Sequence, residues 1–315
     1  MRTFLLKVIL ALLIVAGFHL VAGLWADGRT DDYYLRFATP KARSLVLGGS
    51  RAAQGIHPDV FNTEALQHAF EGPLFNFGFT IAHSPYGPTY YKAIEHKLDT
   101  TARNGLFILC VDPWVLTAHR DKANDADRFK EKDRLLGTQW TFAMRPNYEY
   151  LVRHYGQGWG ALSCWPKGDP DTTATLLADG RLELHIPMDS ATVAARTARK
   201  VQHYRTRMMQ DRVWSEVRFD WLLWTVERLR PHGRVVLVRL PATKAILELE
   251  HVLAPEFNDR MNALAGRMGA SFMDLSTLAD SVCYTDGNHL DGPSGRRMSE
   301  LLAKRLLGTG SPAGN

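Results

Sequence analysis

Three short apolar runs, at residues 45–47, 74–77 and 106–111, follow one another at intervals of about 30 residues. That rhythm constrains the chain more than any other feature in it. Between the runs lie stretches of helical character, such as 88–98, with Tyr91, Ile94 and Leu98 on one side. Strand, helix, strand at this spacing is the mark of βαβ units and a parallel sheet. A fourth run, 234–240, ends at Pro241, which cannot continue a central ladder. A fifth, 270–275, is shorter. A closing helix from about Pro293 has Met298, Leu301, Leu302 and Leu306 at helical spacing. The expected fold is α/β, a doubly wound parallel sheet of about five strands.

The stretch 114–230 interrupts this rhythm and is rich in tryptophan (Trp140, Trp159, Trp165, Trp214, Trp221, Trp224). Within it, 174–184 predicts a hairpin around Asp179-Gly180. Asp189 is placed to cap a helix running to about Arg207, and 214–229 reads as another. The stretch is expected to be an α+β insertion or cap over the strand ends. Its aromatics form either its own core or the lining of a substrate groove.

At the N-terminus, Arg2 and Lys7 precede an apolar run from Val8 through His19 to Ala26, close to the ~20 residues a helix needs to cross a bilayer. Basic residues before the run and Asp27, Asp31 and Asp32 after it favour an N-in, C-out orientation, with Trp25 at the outer interface. A cleaved signal peptide is the alternative, because Val21-Ala22-Gly23 and Leu24-Trp25-Ala26 loosely resemble a processing site. Either way the folded part is expected on the periplasmic side of the cytoplasmic membrane. The expected organisation is an anchor at 1–26, a polar tether at 27–41, an α/β domain at 42–307 with its insertion at about 114–230, and a disordered tail at 308–315.

The apolar (45%) and charged (23%) fractions are those of an ordinary globular protein. The net charge of +5 is scattered, whereas nucleic-acid binding would need a concentrated basic stripe, so no nucleic-acid partner is expected. Cys110, Cys164 and Cys283 allow at most one intrachain disulfide. Cys110 reads as a small buried hydrophobe. There is no CxxC and no zinc spacing, so neither a metal nor a cofactor is expected.

Two segments carry the chemistry. Ser44-Leu45-Val46-Leu47-Gly48-Gly49-Ser50-Arg51 reads as a buried strand running into a glycine-lined turn that presents Ser50. Ligands in a parallel sheet bind beyond the carboxyl ends of the strands, and a helix N-terminus there offers N–H groups to an oxyanion. Asp286-Gly287-Asn288-His289-Leu290 places a carboxylate and an imidazole three residues apart after the last strand. Together these segments supply a nucleophile, a base and a carboxylate to hold the base. The bland alternatives are a helix-capping serine and an ordinary Asp-Gly-Asn turn.

The glycine-serine block at a strand end, Asn76-Phe77-Gly78 after the second run and the late Asp-x-x-His-Leu block resemble the SGNH/GDSL hydrolase superfamily, over roughly 42–111 and 233–306. The resemblance implies a flavodoxin-like SGNH sheet, with Ser50 as nucleophile, His289 as base and Asp286 as its orienter. It also implies the backbone N–H groups of Ser50 and Gly78 as oxyanion donors. Two positions depart from the pattern. Gly49 stands where an aspartate usually precedes the nucleophile, and Asp112-Pro113-Trp114 replaces a Gly-x-Asn-Asp block, which removes the usual side-chain oxyanion donor. Arg51, His83 and Arg239 are candidates to replace that donor, and with Asn76 and Asp112 they form the candidate substrate-binding set. An α/β-hydrolase arrangement does not fit a serine on the first strand with Asp and His three apart. No dinucleotide fingerprint, P-loop or HExxH is present.

With its N-terminal anchor, the variant pattern is similar to envelope members of that superfamily, the lipoteichoic-acid D-alanylation and alginate O-acetylation protein types. This implies an extracytoplasmic serine esterase or O-acyltransferase acting on acyl esters of a cell-envelope glycan. Its expected partners are an envelope polysaccharide or acyl-carrying polymer and a membrane-bound O-acyltransferase. The alternative is a non-catalytic glycan-binding or scaffolding partner of that acyltransferase.

Overall fold

The computed structural model describes residues 1–24, 26, 31–154 and 173–308. Trp25, Asp27, Trp159, Cys164, Trp165 and residues 309–315 lie outside the described residues, and with them the expected interface tryptophan and nearly all of the tail. Helix α1 (Arg2–Gly23) is long and apolar enough to cross a membrane, and its side chains up to Val21 are almost all exposed. At 1.5 Å per residue it spans about 33 Å. Its end meets the folded part where Tyr148 Oη donates to the Leu20 carbonyl at 2.8 Å.

The segment expected to be a polar tether is partly core. Tyr34 and Phe37 in helix α2 (Tyr34–Ala38) are fully buried, and both join the main apolar cluster. Arg36 is buried too and donates to the Asp32 and Gly180 carbonyls, so it ties this segment to the 174–184 hairpin. Tyr34, Leu35 and Phe37 carry more apolar area than the neighbouring charges can keep in water.

In chain order the strands are β1 (Ser44–Leu47), β2 (Leu74–Asn76), β3 (Gly105–Cys110), β4 (Thr117–His119), β5 (Ala174–Leu176), β6 (Leu182–Leu184), β7 (Arg212–Trp214), β8 (Gly233–Arg239) and β9 (Ser271–Asp274). The central sheet has the order β2-β1-β3-β8-β9 and every neighbouring pair is parallel. Counted among themselves, its strands run 2-1-3-4-5, the flavodoxin-like order. β4 pairs antiparallel with β7, and β5 with β6.

The principal helices that follow are α3 (Ser50–Gly55), α4 (Pro88–Lys97), α5 (Ser190–His203), α6 (Glu216–Leu229), α7 (Lys244–Leu253), α8 (Phe257–Met268) and α9 (Gly292–Gly308). Alternate strand residues face opposite layers. Leu45, Leu47, Phe107, Leu109, Val235 and Leu237 pack with Ile94 of α4, Leu222, Val226 and Leu229 of α6, and Met261 and Leu264 of α8. Val46, Ile108, Val236 and Val238 pack with Ala52 of α3 and Met298, Leu302 and Leu306 of α9. Both faces are covered, as a doubly wound sheet requires.

Helix α6, read from sequence as part of the insertion, therefore belongs to the framework as the covering helix that leads into β8. Its apolar stripe faces the sheet because Leu222, Val226 and Leu229 recur at helical spacing. The inserted tryptophans divide. Trp114 is buried and meets Tyr204 edge-on at 4.6 Å, Trp214 packs near Phe219 and Phe257, and Trp140 is exposed.

Candidate active site

The chain runs from β1 outward to β2 and then returns to β3 on the other side of β1, so the carboxyl ends of β1 and β3 border the topological switch point. Ser50 stands there as the first residue of α3. Gly48 makes the turn with φ +136°, and a Cβ on it would lie 2.7 Å from the Cys110 carbonyl oxygen, so a side chain is excluded on both counts. The turn is pinned as well: Tyr90 Oη accepts from the Gly48 N–H at 3.0 Å, and Ser84 Oγ donates to the Gly48 carbonyl at 2.8 Å.

The loop after β9 brings the other two groups. Gly287 turns at φ +80°, with its carbonyl accepting from the Thr243 N–H and Oγ1 of α7's N-terminus. Asp286 Oδ1 accepts from the backbone N–H groups of Asn288 and His289, both at 3.0 Å, which fixes the loop. His289 Nδ1 lies 3.0 Å from each Asp286 carboxylate oxygen, and its Nε2 lies 2.7 Å from Ser50 Oγ. The carboxylate assigns the proton to Nδ1 and leaves the Nε2 lone pair facing the serine hydroxyl. The structure thus brings Ser50, His289 and Asp286 into one continuous hydrogen-bonded chain.

Burial alone would raise the Asp286 pKa. The hydrogen bond and charge of His289 and the ion pair with Lys200 outweigh it and hold the carboxyl well below the usual carboxylate range. Lys200, on α5 of the insertion, reaches Asp286 Oδ2 at 2.9 Å. One lysine on an amphipathic helix carries no signal of its partner.

The remaining candidates are placed differently. Asn76 is fully buried: its Nδ2 donates to the Ala52 and Ile56 carbonyls and its Oδ1 accepts from the Gly78 N–H at 3.0 Å. Asn76 therefore bolts α3 to β2 rather than facing a substrate. The Gly78 N–H expected to receive an oxyanion is already satisfied internally. The Ser50 N–H, in the first turn of α3, belongs to the donors a helix leaves unpaired. His83 bonds Thr80 Oγ1 through Nδ1 and lies against the Tyr33 ring, and burial together with Arg134 pushes its pKa down to about 4.

Arg51 and Arg239 are both engaged by a buried carboxylate. Glu250 of α7 is fully buried between Arg51 Nη2 at 2.6 Å and Arg239 Nη2 at 2.8 Å. Arg239 also donates to Asn258 Oδ1. Asp112 caps the turn after β3 by accepting from the Trp114 and Val115 N–H groups and sits 4.0 Å from Arg51, while burial raises its pKa against the pull of that arginine. Arg51 also holds Asn288 Oδ1 through Nε and Nη2, which aims Asn288 Nδ2 at His289 Nε2, 3.2 Å away. In the sequence Asn288 presents itself only as part of the Asp-Gly-Asn turn. Its orientation depends on an arginine more than 200 positions earlier in the chain.

The sequence matches no protein-family model and no curated protein. Its structure is similar to several solved ones. Phospholipase A1 from Streptomyces albidoflavus NA297 is 10% identical with a TM-score of 0.34, covering 84% of this chain and 99% of that one. Est24, a carbohydrate acetylesterase from Sinorhizobium meliloti, is 12% identical with a TM-score of 0.35 and the same coverages. The M. smegmatis aryl esterase is 16% identical with a TM-score of 0.30, again covering 84% and 99%.

Proposed function

We propose that this chain is a membrane-anchored extracytoplasmic serine esterase or O-acyltransferase acting on acyl esters of a cell-envelope glycan. The observation that carries the reading is the Ser50–His289–Asp286 relay at 2.7 and 3.0 Å. Ser50 Oγ attacks the ester carbonyl carbon while His289 Nε2 takes the hydroxyl proton, and Asp286 stabilises the resulting imidazolium. The tetrahedral oxyanion meets the Ser50 N–H at the start of α3. Collapse breaks the bond to the leaving alcohol, which takes the proton from His289 and leaves an acyl-serine. Water or a glycan hydroxyl then gives its proton to His289 and attacks the acyl carbon, and Ser50 recovers its proton as it leaves. Hydrolysis and transfer differ only in the acceptor.

Arg2 and Lys7 ahead of α1, with Asp31 and Asp32 beyond it, support an orientation that puts the folded part outside the membrane. Tethering beside a membrane-bound O-acyltransferase raises the local concentration of donor and acceptor.

A second reading, a non-catalytic partner that binds the glycan or scaffolds the acyltransferase, is favoured by two observations. Asn76 occupies the Gly78 N–H, and the Asn288 amide shares the His289 Nε2 lone pair with the serine. A fluorophosphonate probe on the full-length protein in detergent, read by intact mass, separates the two. One adduct on the wild type and none on Ser50→Ala or His289→Ala is the expected result. A folded wild type that takes no label favours the partner reading.

A further inference from the structure

Away from the triad, a cavity of about 150 Å³ opens between the loop after β2, the β4/β7 ribbon and the segment 122–134. None of Ser50, Asp286 and His289 lines it. Six basic side chains do, His119, Lys122, Lys130, Arg134, Arg212 and Arg218, against a single carboxylate, Glu131. That carboxylate is already committed, since Arg218 Nη1 holds it at 2.7 Å. Arg218 is itself 2% exposed, and its Nε is buried without a hydrogen-bond partner. Arg212 donates through Nε to Thr117 Oγ1. Among the described residues, the side chains of His119, Lys122, Lys130 and Arg134 have no hydrogen-bond or ion-pair partner.

The crowding is electrostatically unfavourable. Burial, with Arg218 and Arg134 adding to it and Glu131 opposing, pushes Arg212 down to about 10. Burial and the neighbouring Arg212, Lys130 and Lys122 likewise lower His119, against Asp121. Like charges gathered at a partly enclosed surface weaken the free protein, and an anion that binds only the folded state reverses the loss. Arginine forks match the planar and tetrahedral oxygens of carboxylate and phosphate.

We infer that this cavity is an oxyanion-binding site that takes a phosphate or carboxylate group, gripped by Arg134, Arg212, Arg218 and Lys130. Met208 in its wall closes the helical stretch Tyr204–Met208 that continues α5. The occupant is therefore held against the same helical rod whose Lys200 contacts Asp286.

The test is thermal unfolding of the full-length protein in detergent, titrated with inorganic phosphate or with acetate at an ionic strength kept constant with chloride. Wild type is compared with Lys130→Gln/Arg134→Gln, two exposed positions whose replacement leaves the core intact, and with Ser50→Ala. A saturable rise in Tm on wild type and on Ser50→Ala, with affinity at least tenfold weaker in the double variant, is the expected result. Stronger response to phosphate assigns a phosphate-bearing ligand, and stronger response to acetate a carboxylate-bearing one. No saturable rise on wild type, or an equal rise in the double variant, overturns the site. Because Ser50→Ala is expected to bind like wild type, this result is independent of whether Ser50 is a nucleophile.

Discussion

At the residue scale, Asp286 does three jobs with one carboxylate. It caps its own loop through two backbone N–H groups, holds the His289 ring, and pairs with Lys200. Asp286→Asn keeps the shape and the loop-capping oxygen but loses the charge that favours the Nδ1–H tautomer and the imidazolium. It is expected to slow fluorophosphonate labelling on the order of 10³–10⁴-fold while leaving the circular dichroism spectrum unchanged. Labelling at the wild-type rate would show that Asp286 is a loop cap and nothing more. Ser50, Asp286 and His289 were legible because each lies on a short segment with its own local pattern. The closed Gly78 N–H was not, because the same Asn76 side chain that suggests a site block is spent on backbone groups of β2 and α3.

At the element scale, the buried Arg51–Glu250–Arg239 array ties α3, α7 and the end of β8 together just behind Ser50. A buried carboxylate between two guanidiniums is stable only as a set, because each charge has left water. Glu250→Ala strands two buried cations and is expected to cost about 3–5 kcal/mol, read as a lowered urea midpoint. Glu250→Gln, which keeps one accepting oxygen for an arginine but turns an amide N–H towards the other, is expected to cost less. Equal midpoints for Glu250→Ala and wild type would mean that the arginines find other partners. The framework strands were legible to within a residue or two, since central strands show as unbroken apolar runs. Helix α6 and the buried part of α2 were misassigned because their apolar residues make sense only once the sheet face that they cover is known.

At the scale of the whole molecule, Lys97 is a charge-bearing side chain at odds with its apolar surroundings. It is fully buried, donates to the Thr39 carbonyl and Oγ1, and lies 4.3 Å from the centre of the Phe75 ring. Burial, with a smaller push from Arg36, lowers its pKa from 10.5 to about 7. Between those two values the unfolded chain binds more protons than the folded one, so this group makes stability rise with pH from about 7 to about 10. Below about 7 the protonated amine sits in the core and the gain is lost. Lys97→Met is expected to flatten that slope, measured as urea midpoints at about pH 7 and about pH 10. Wild-type and variant midpoints that shift in parallel would sink the idea.

Local pattern by itself determined the strand rhythm, the 174–184 hairpin, the Asp189 cap, the anchor-length apolar helix and the two segments that carry serine, aspartate and histidine. Each of these depends on interactions between residues a few positions apart, which a sequence displays directly. Tertiary structure alone decided the rest: the closure of the Gly78 N–H, the Arg51 grip on Asn288, the Lys200 contact and the basic cavity. Those join groups from distant segments, and burial decides their value, because a charge or hydrogen bond counts for more once water has been excluded from around it.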